Sequence, residues 1–186
     1  MTMTTAEKDR ASGAGRTLPG TRIATLFVNL NTFAALLTVG AALVGCFIPA
    51  IPDMLHYHIP LGLIAVVIGL FALVAAMFYL VVTGASIKEA VAGKGIARDY
   101  FERTKPLKKT LFPFCMMTVT LLIAMTVLGG AVHVGKVDWK AHLFFALATV
   151  VSYYCTIRKI KDVFQKDREL IADALEAIDA ATPSSQ

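Results

Sequence analysis

Four stretches of the chain carry no Lys, Arg, Asp or Glu, and the charges crowd into the segments between them. Ile23 to Pro52 is 30 residues long, and Met54 to Ile87 is broken only by His56 and His58. Thr110 to Gly135 holds His133 near its end, and Ala141 to Ile157 supplies 17 residues. A helix needs about 20 apolar residues, within a range of about 17–25, to cross the hydrocarbon core of a bilayer. Three runs exceed that need. The fourth meets its lower limit, and the flanking Lys140, Arg158 and Lys159 can snorkel to the headgroups. The pattern predicts an all-α integral membrane protein, a four-transmembrane-helix bundle. Its spans fall at about 23–50, 59–84, 108–131 and 141–158, within a membrane domain over residues 22–158.

Polar residues and breakers divide the remainder. Residues 1–21, rich in Thr, Ala, Gly, Ser and charge, are expected to form a disordered tail. Asn29 and Asn31, early in the first span, are expected to bond to a neighbouring helix rather than face lipid. Pro49, Pro52 and Pro60 bracket a tight turn containing Asp53, His56 and His58. Ser86-Ile87-Lys88-Glu89 has the S-x-x-E form of a capping box, which predicts a short helix starting there and limited by Gly93 and Gly95. Thr104 and Pro106 read as the cap and first turn of the third span. That span ends at Gly129-Gly130, and a second turn runs from His133 to His142 around Asp138 and Trp139. The fourth helix continues past the membrane. Ile160, Phe164, Ile171, Leu175 and Ile178 recur near helical spacing among Lys, Asp and Glu. They predict an amphipathic C-terminal helix over 159–180 that would lie on headgroups, on the central loop or on a partner. Residues 181–186 form a tail.

The two halves show a trace of repetition. An offset of 85 residues aligns Thr25-Leu26-Phe27 with Thr110-Leu111-Phe112, and Leu36, Leu37, Leu43, Gly45 and Asp53 with Leu121, Leu122, Leu128, Gly130 and Asp138. This suggests two tandem helical hairpins about a pseudo-two-fold axis along the membrane normal.

Charge then orients the bundle. All but two of the 18 basic residues lie in the N-terminal tail, in the central loop from Lys88 to Lys109, or after Ile157; the exceptions are Lys136 and Lys140. By the positive-inside rule both termini and the central loop are cytoplasmic, and the expected location is the bacterial inner membrane. The net charge of +5 is accordingly a topology signal and an attraction to anionic lipid, with no aromatic-interleaved patch pointing to nucleic acid. The three cysteines, Cys46, Cys115 and Cys155, lie inside spans and form no CxxC pair, so they read as small apolar residues. Leu43-Val44-Gly45-Cys46 fits a lipoprotein cleavage box. The apolar run before it exceeds the 7–15 residues of a signal h-region, which favours an uncleaved anchor.

All four histidines fall on the non-cytoplasmic side, two in each turn, and each turn also holds one Asp. Imidazole suits copper, iron, zinc and nickel, and carboxylate can complete a ligand set. His58 precedes the second span and His142 opens the fourth, so they are near-equivalent in the repeat and are the first candidates for axial ligands of a haem b. His56, His133, Asp53 and Asp138 are the further candidates for copper or non-haem iron. A quinone headgroup held by one His with an Asp, Trp139 or Tyr57 is a milder variant. The bland reading is that interface turns tolerate His, Trp and Tyr for their amphipathic rings. No HExxH, EF-hand or Walker pattern occurs, and Ser86, Ser152 and Cys155 have no general base nearby in sequence. No charge lies in mid-membrane, which argues against an ion pump.

Two functions follow as expectations. The first is a non-catalytic subunit that binds haem or a transition metal and serves electron transfer or assembly among other membrane subunits of a redox complex. The second is a cofactor-free scaffold that docks a cytoplasmic partner or anionic lipid through its basic loop and C-terminal helix. In helix count and histidine placement alone, the chain is similar to the small multi-helix anchor subunits of respiratory complexes, a likeness of shape that carries no residue over.

Overall fold

In hydrocarbon every backbone amide must find its partner within the protein, so long apolar segments resolve as helices. A computed structural model describes residues 19–91 and 97–180. It has four long helices: α1 (Pro19–Phe47), α2 (Leu55–Val91), α3 (Ala97–His133) and α4 (Trp139–Ala180). A short 3-10 turn, Pro52–Met54, joins the first two. Each helix is long and apolar enough to cross a membrane. Residues 1–18 and 181–186 of the expected tails, and Gly93 to Gly95 in the central loop, lie outside the described residues, while residues 19–21, expected in the tail, belong to α1.

The helices overrun the predicted spans at the basic end. Ser86 does not begin a new helix: α2 continues through it to Val91, so its capping-box pattern is not used as a cap. Nor do Thr104 and Pro106 open α3, which starts at Ala97 and contains both Pro106 and Pro113. The Thr104 hydroxyl instead donates to the Phe101 carbonyl one turn back. The physical reason is that these local signals act only where the chain has cause to leave the helix. Here the extensions pack on one another: Ile87 and Leu170 are buried, with Tyr100, Leu107, Ile171 and Ile178 against them. Part of the expected amphipathic stripe is therefore covered by α2 and α3, and α4 is one continuous helix.

The buried stripes are narrow and mix small residues with a few large ones. On α2, Ala65, Gly69, Ala72, Ala76, Leu80 and Gly84 are buried at spacings of three and four. On α4 the matching stripe is Ala146, Thr149, Tyr153, Thr156 and Ile160. Small residues let helix backbones approach where lipid supplies no hydrophobic drive, and alternating three- and four-residue spacing is the pattern of nearly parallel packing. The opposite faces carry Leu36, Val67, Phe71, Phe78, Val127, Phe144 and Val151, each more than 60% exposed. Such a girdle suits acyl chains and not water. Polar side chains add cross-links. The Asn31 amide donates to the Ala72 carbonyl of α2 at 3.0 Å, as expected for that residue, whereas Asn29 is exposed. In the α3–α4 seam the Thr118 hydroxyl lies 2.7 Å from that of Ser152 and 2.8 Å from that of Thr156.

Around the bundle each helix touches its two neighbours in the cycle α1, α2, α3, α4, and α2 also meets α4 across the middle. Three contacts across that middle join residues 84 apart. His58 faces His142, the Tyr153 hydroxyl donates to the Gly69 carbonyl at 3.4 Å, and the Thr83 hydroxyl donates to Asp167 at 3.4 Å. The first residues of α2 and α4, Leu55 and Trp139, are also 84 apart. Residues that touch their own equivalents lie beside a two-fold axis, so the hairpins are related at an offset of 84. The sequence alignment at 85 is one residue long. Apolar segments of similar composition match almost as well at either offset, and the Gly129-Gly130 pair offers a partner for Gly45 in both.

Tyr153 is fully buried at the centre of this arrangement, against Gly69. Tyr153→Ala is expected to destabilise the bundle by about 3–5 kcal/mol, the usual loss for an aromatic core residue. Tyr153→Phe removes only a long hydrogen bond and should lose less than about 1 kcal/mol. Reversible unfolding in mixed micelles, followed by helical circular dichroism, measures both.

Candidate functional site

The ends of the four helices remote from the basic loop surround a cavity of about 760 Å³. Thr38, Ala41 and Gly45 of α1, His58 and Gly62 of α2, Met125 and Gly129 of α3, and His142 and Ala146 of α4 contribute to its walls. His133 and Trp139, both exposed, stand at its rim. Ligand pockets generally fall at about 300–1,000 Å³ and are mostly apolar with a few placed polar groups. This one conforms.

The Thr38 and Thr126 hydroxyls in its walls donate to carbonyls of their own helices, and two imidazoles stand beside them. His58 is the fourth residue of α2 and His142 the fourth residue of α4. The rings stand 6.0 Å apart between centres, with their planes at 87°. Each is tied to the preceding helix in the same way. His58 Nδ1 lies 2.9 Å from the carbonyl of Ala41, and His142 Nδ1 lies 3.1 Å from that of Met125; both acceptors are 17 residues upstream. A carbonyl oxygen can only accept, so Nδ1 is the donor in both rings. In the neutral imidazole the lone pair then resides on Nε2. No described residue hydrogen-bonds to either Nε2. An imidazole whose Nδ1–H is held by a backbone carbonyl is oriented as metal-binding histidines generally are.

Two glycines make this close approach possible. A Cβ on Gly45 would lie 2.8 Å from Cε1 of His58, and one on Gly129 would lie 3.1 Å from Cε1 of His142. Each glycine sits one turn after the carbonyl that holds the ring, so the Cε1 edge of the imidazole lies against a bare patch of helix. The glycine precedes its histidine by 13 residues in both halves. That repeated Gly-x12-His spacing is the sequence signal that simple inspection of the histidines overlooks; the Ala41 and Met125 carbonyls leave none.

The other candidates are elsewhere. His56 and Asp53 are exposed on the first turn, and Tyr57 is 68% exposed and does not line the cavity. Asp138 Oδ1 accepts from the amide of Lys140 at 2.8 Å, so it caps the start of α4. His133 reaches the rim only. Among the described residues no group of three or more His, Cys, Asp or Glu is placed to hold a metal ion. The six-residue ligand set is thus not gathered at one point; only His58 and His142 are. Cys46 lines the cavity, while Cys115 is buried and Cys155 half-buried, and all three are free thiols.

No protein-family model, no curated protein and no solved structure matches the chain. The geometry of the site therefore carries the functional argument.

Proposed function

We propose that the protein binds one haem b in the cavity at the ends of the four helices, where His58 and His142 would hold it. It would serve as an electron-transfer or assembly subunit of a redox complex in the bacterial inner membrane, with both termini cytoplasmic. The observation that carries this reading is the pair of facing imidazoles, each with its Nδ1 proton committed to a backbone carbonyl and its Nε2 lone pair free.

The donor set favours haem over a bare ion. Copper or non-haem iron held by protein takes three or more donors gathered at one point, and among the described residues no three of His, Cys, Asp or Glu are so placed. A porphyrin brings four nitrogens of its own and asks the protein for one or two. Two nitrogens about 2 Å from one iron, with roughly 1 Å more from each nitrogen to its ring centre, put the ring centres about 6 Å apart. The observed separation is 6.0 Å. The apolar walls suit the macrocycle and would keep water from the iron. When bound, haem would supply one-electron chemistry; the chain's own residues orient it, exclude solvent and set its ligand field. The excess of basic residues at the opposite end of the bundle supports a periplasmic position for the cavity.

Iron and haem should be quantified per chain in protein purified in mild detergent from its native membrane. About one of each is expected. Iron far below stoichiometry would leave the cofactor-free scaffold as the better account. His56→Ala, His133→Ala, Asp53→Asn and Asp138→Asn are each expected to retain the cofactor within about twofold, since none reaches the Nε2 atoms whose ligation carries the binding energy. The same quantification checks them.

A further inference from the structure

The two-fold relation of the hairpins exposes a second site at the basic end, independent of the haem reading. At the α2–α3 seam, Lys108 reaches inward until its Nζ lies 2.7 Å from where a Cβ of Gly84 would stand. Eighty-four residues on, or back, the same seam recurs between α1 and α4, with Ala24 in the place of Lys108 and Arg168 in the place of Gly84. Val28 likewise replaces Phe112. The shorter side chains leave a slot of about 220 Å³ between α1 and α4, with Ala24, Val28 and Phe164 among its apolar lining and Lys161 and Arg168 beside them. Neither cation forms an ion pair with a described residue, in contrast to Arg103, Lys105 and Lys166. Gln165, also at the slot, is engaged with Glu169.

The level of the slot decides what can fill it. Ala24 and Val28 belong to the charge-free run of α1 that starts at Ile23, while Lys161 and Arg168 lie in the charged continuation of α4. The slot therefore straddles the border between hydrocarbon and headgroups. Lys161 and Arg168 are two helical turns apart, about 10 Å along the axis, and their long side chains can close on one anion from both sides. We infer that this slot is a specific site for an anionic glycerophospholipid, its phosphodiester between Lys161 and Arg168 and its acyl chain on Val28 and Phe164. Basic pockets between membrane helices at the headgroup level have the chemistry for such lipids. In the other half of the molecule the protein fills the equivalent place with its own Lys108.

The test is native mass spectrometry of the full chain in non-ionic detergent, titrated with phosphatidylglycerol and, separately, phosphatidylcholine. One phosphatidylglycerol per chain is expected to be retained in preference to phosphatidylcholine. Joint Lys161→Gln and Arg168→Gln substitution should weaken retention about 30-fold, roughly fivefold for each cation. Joint Lys109→Gln and Lys159→Gln substitution removes the same charge outside the slot and should change retention less than about threefold, with helical circular dichroism confirming the fold. A second variant, Ala24→Leu with Val28→Phe, fills the slot with apolar side chains and adds no charge; it should lose the lipid while keeping both native cations. Equal loss in the two glutamine pairs, no preference for phosphatidylglycerol, retention in the filled variant, or displacement by equimolar inorganic phosphate would each overturn the site. Haem content should be unchanged throughout, so failure here and failure of the haem reading are separately visible.

Discussion

Substituting His58 or His142 by Ala is expected to lower bound haem at least tenfold, while the helices and their packing survive. Even outer-shell partners of metal ligands generally change affinity about 10–100-fold when removed, and a ligand itself should weigh no less. The fold should tolerate the change because each ring lies against cavity and glycine, not in the close-packed stripe around Tyr153. The two single variants should behave alike, since the rings occupy equivalent positions and have the same kind of Nδ1 partner. Haem absorbance per chain, with helical circular dichroism alongside, measures both halves of this expectation. Loss of the histidines outside the cavity, His56 and His133, provides the internal comparison.

The second large effect concerns residues that touch no cofactor atom by chemistry of their own. Gly45→Ala puts a methyl 2.8 Å from Cε1 of His58, closer than carbon atoms approach without displacement, and Gly129→Ala puts one 3.1 Å from Cε1 of His142. In each case the ring must rotate away, and its bond to the carbonyl four residues earlier on the same helix is strained or lost. Haem affinity is expected to fall about 10–100-fold, as for other losses of ligand orientation, with Gly45→Ala the more severe. Gly40→Ala provides the control: a Cβ there meets nothing within 4 Å. It should retain haem and, if anything, favour the helix by about 0.5–1 kcal/mol. Titration of haem into apoprotein reads the affinities, and equal affinity across all three variants would contradict a role for these glycines.

The fold was largely written in where charges are missing. Four charge-free runs announce four helices because a bilayer leaves the backbone no other solution, and the structure has those four. The helix ends were less legible. Ser86 and Thr104 carry cap-like signals, yet the helices run through both because Ile87, Leu107 and Leu170 bury one another beyond the membrane, a tertiary gain that no local pattern records. The repeat was visible but slipped by one residue, since Leu, Val and Gly recur too densely for composition to fix the register. Contacts such as Tyr153 on Gly69 fix it.

At the site, residue type was readable and assembly was not. The sequence singles out His58 and His142 through their near-equivalence, but it treats His56, His133, Asp53 and Asp138 as comparable donors. Helix phase separates them. The fourth residue of α2 and of α4 faces inward, whereas His56 lies half a turn away on the exposed side. Asp138 is occupied by the amide of Lys140. The decisive partners, the carbonyls of Ala41 and Met125, are backbone atoms and have no residue-type signature at all.

The central claim is that both imidazoles bind one iron, and electron paramagnetic resonance of the oxidised protein tests it most directly. A ferric haem with two imidazole ligands is low-spin, and removal of either ligand leaves a five-coordinate, high-spin iron. The account predicts a low-spin signal in the wild type and its replacement by a high-spin signal, or its disappearance, in His58→Ala and in His142→Ala alike. No haem signal from protein freshly prepared from its native membrane, or a low-spin signal unchanged in either variant, would contradict it.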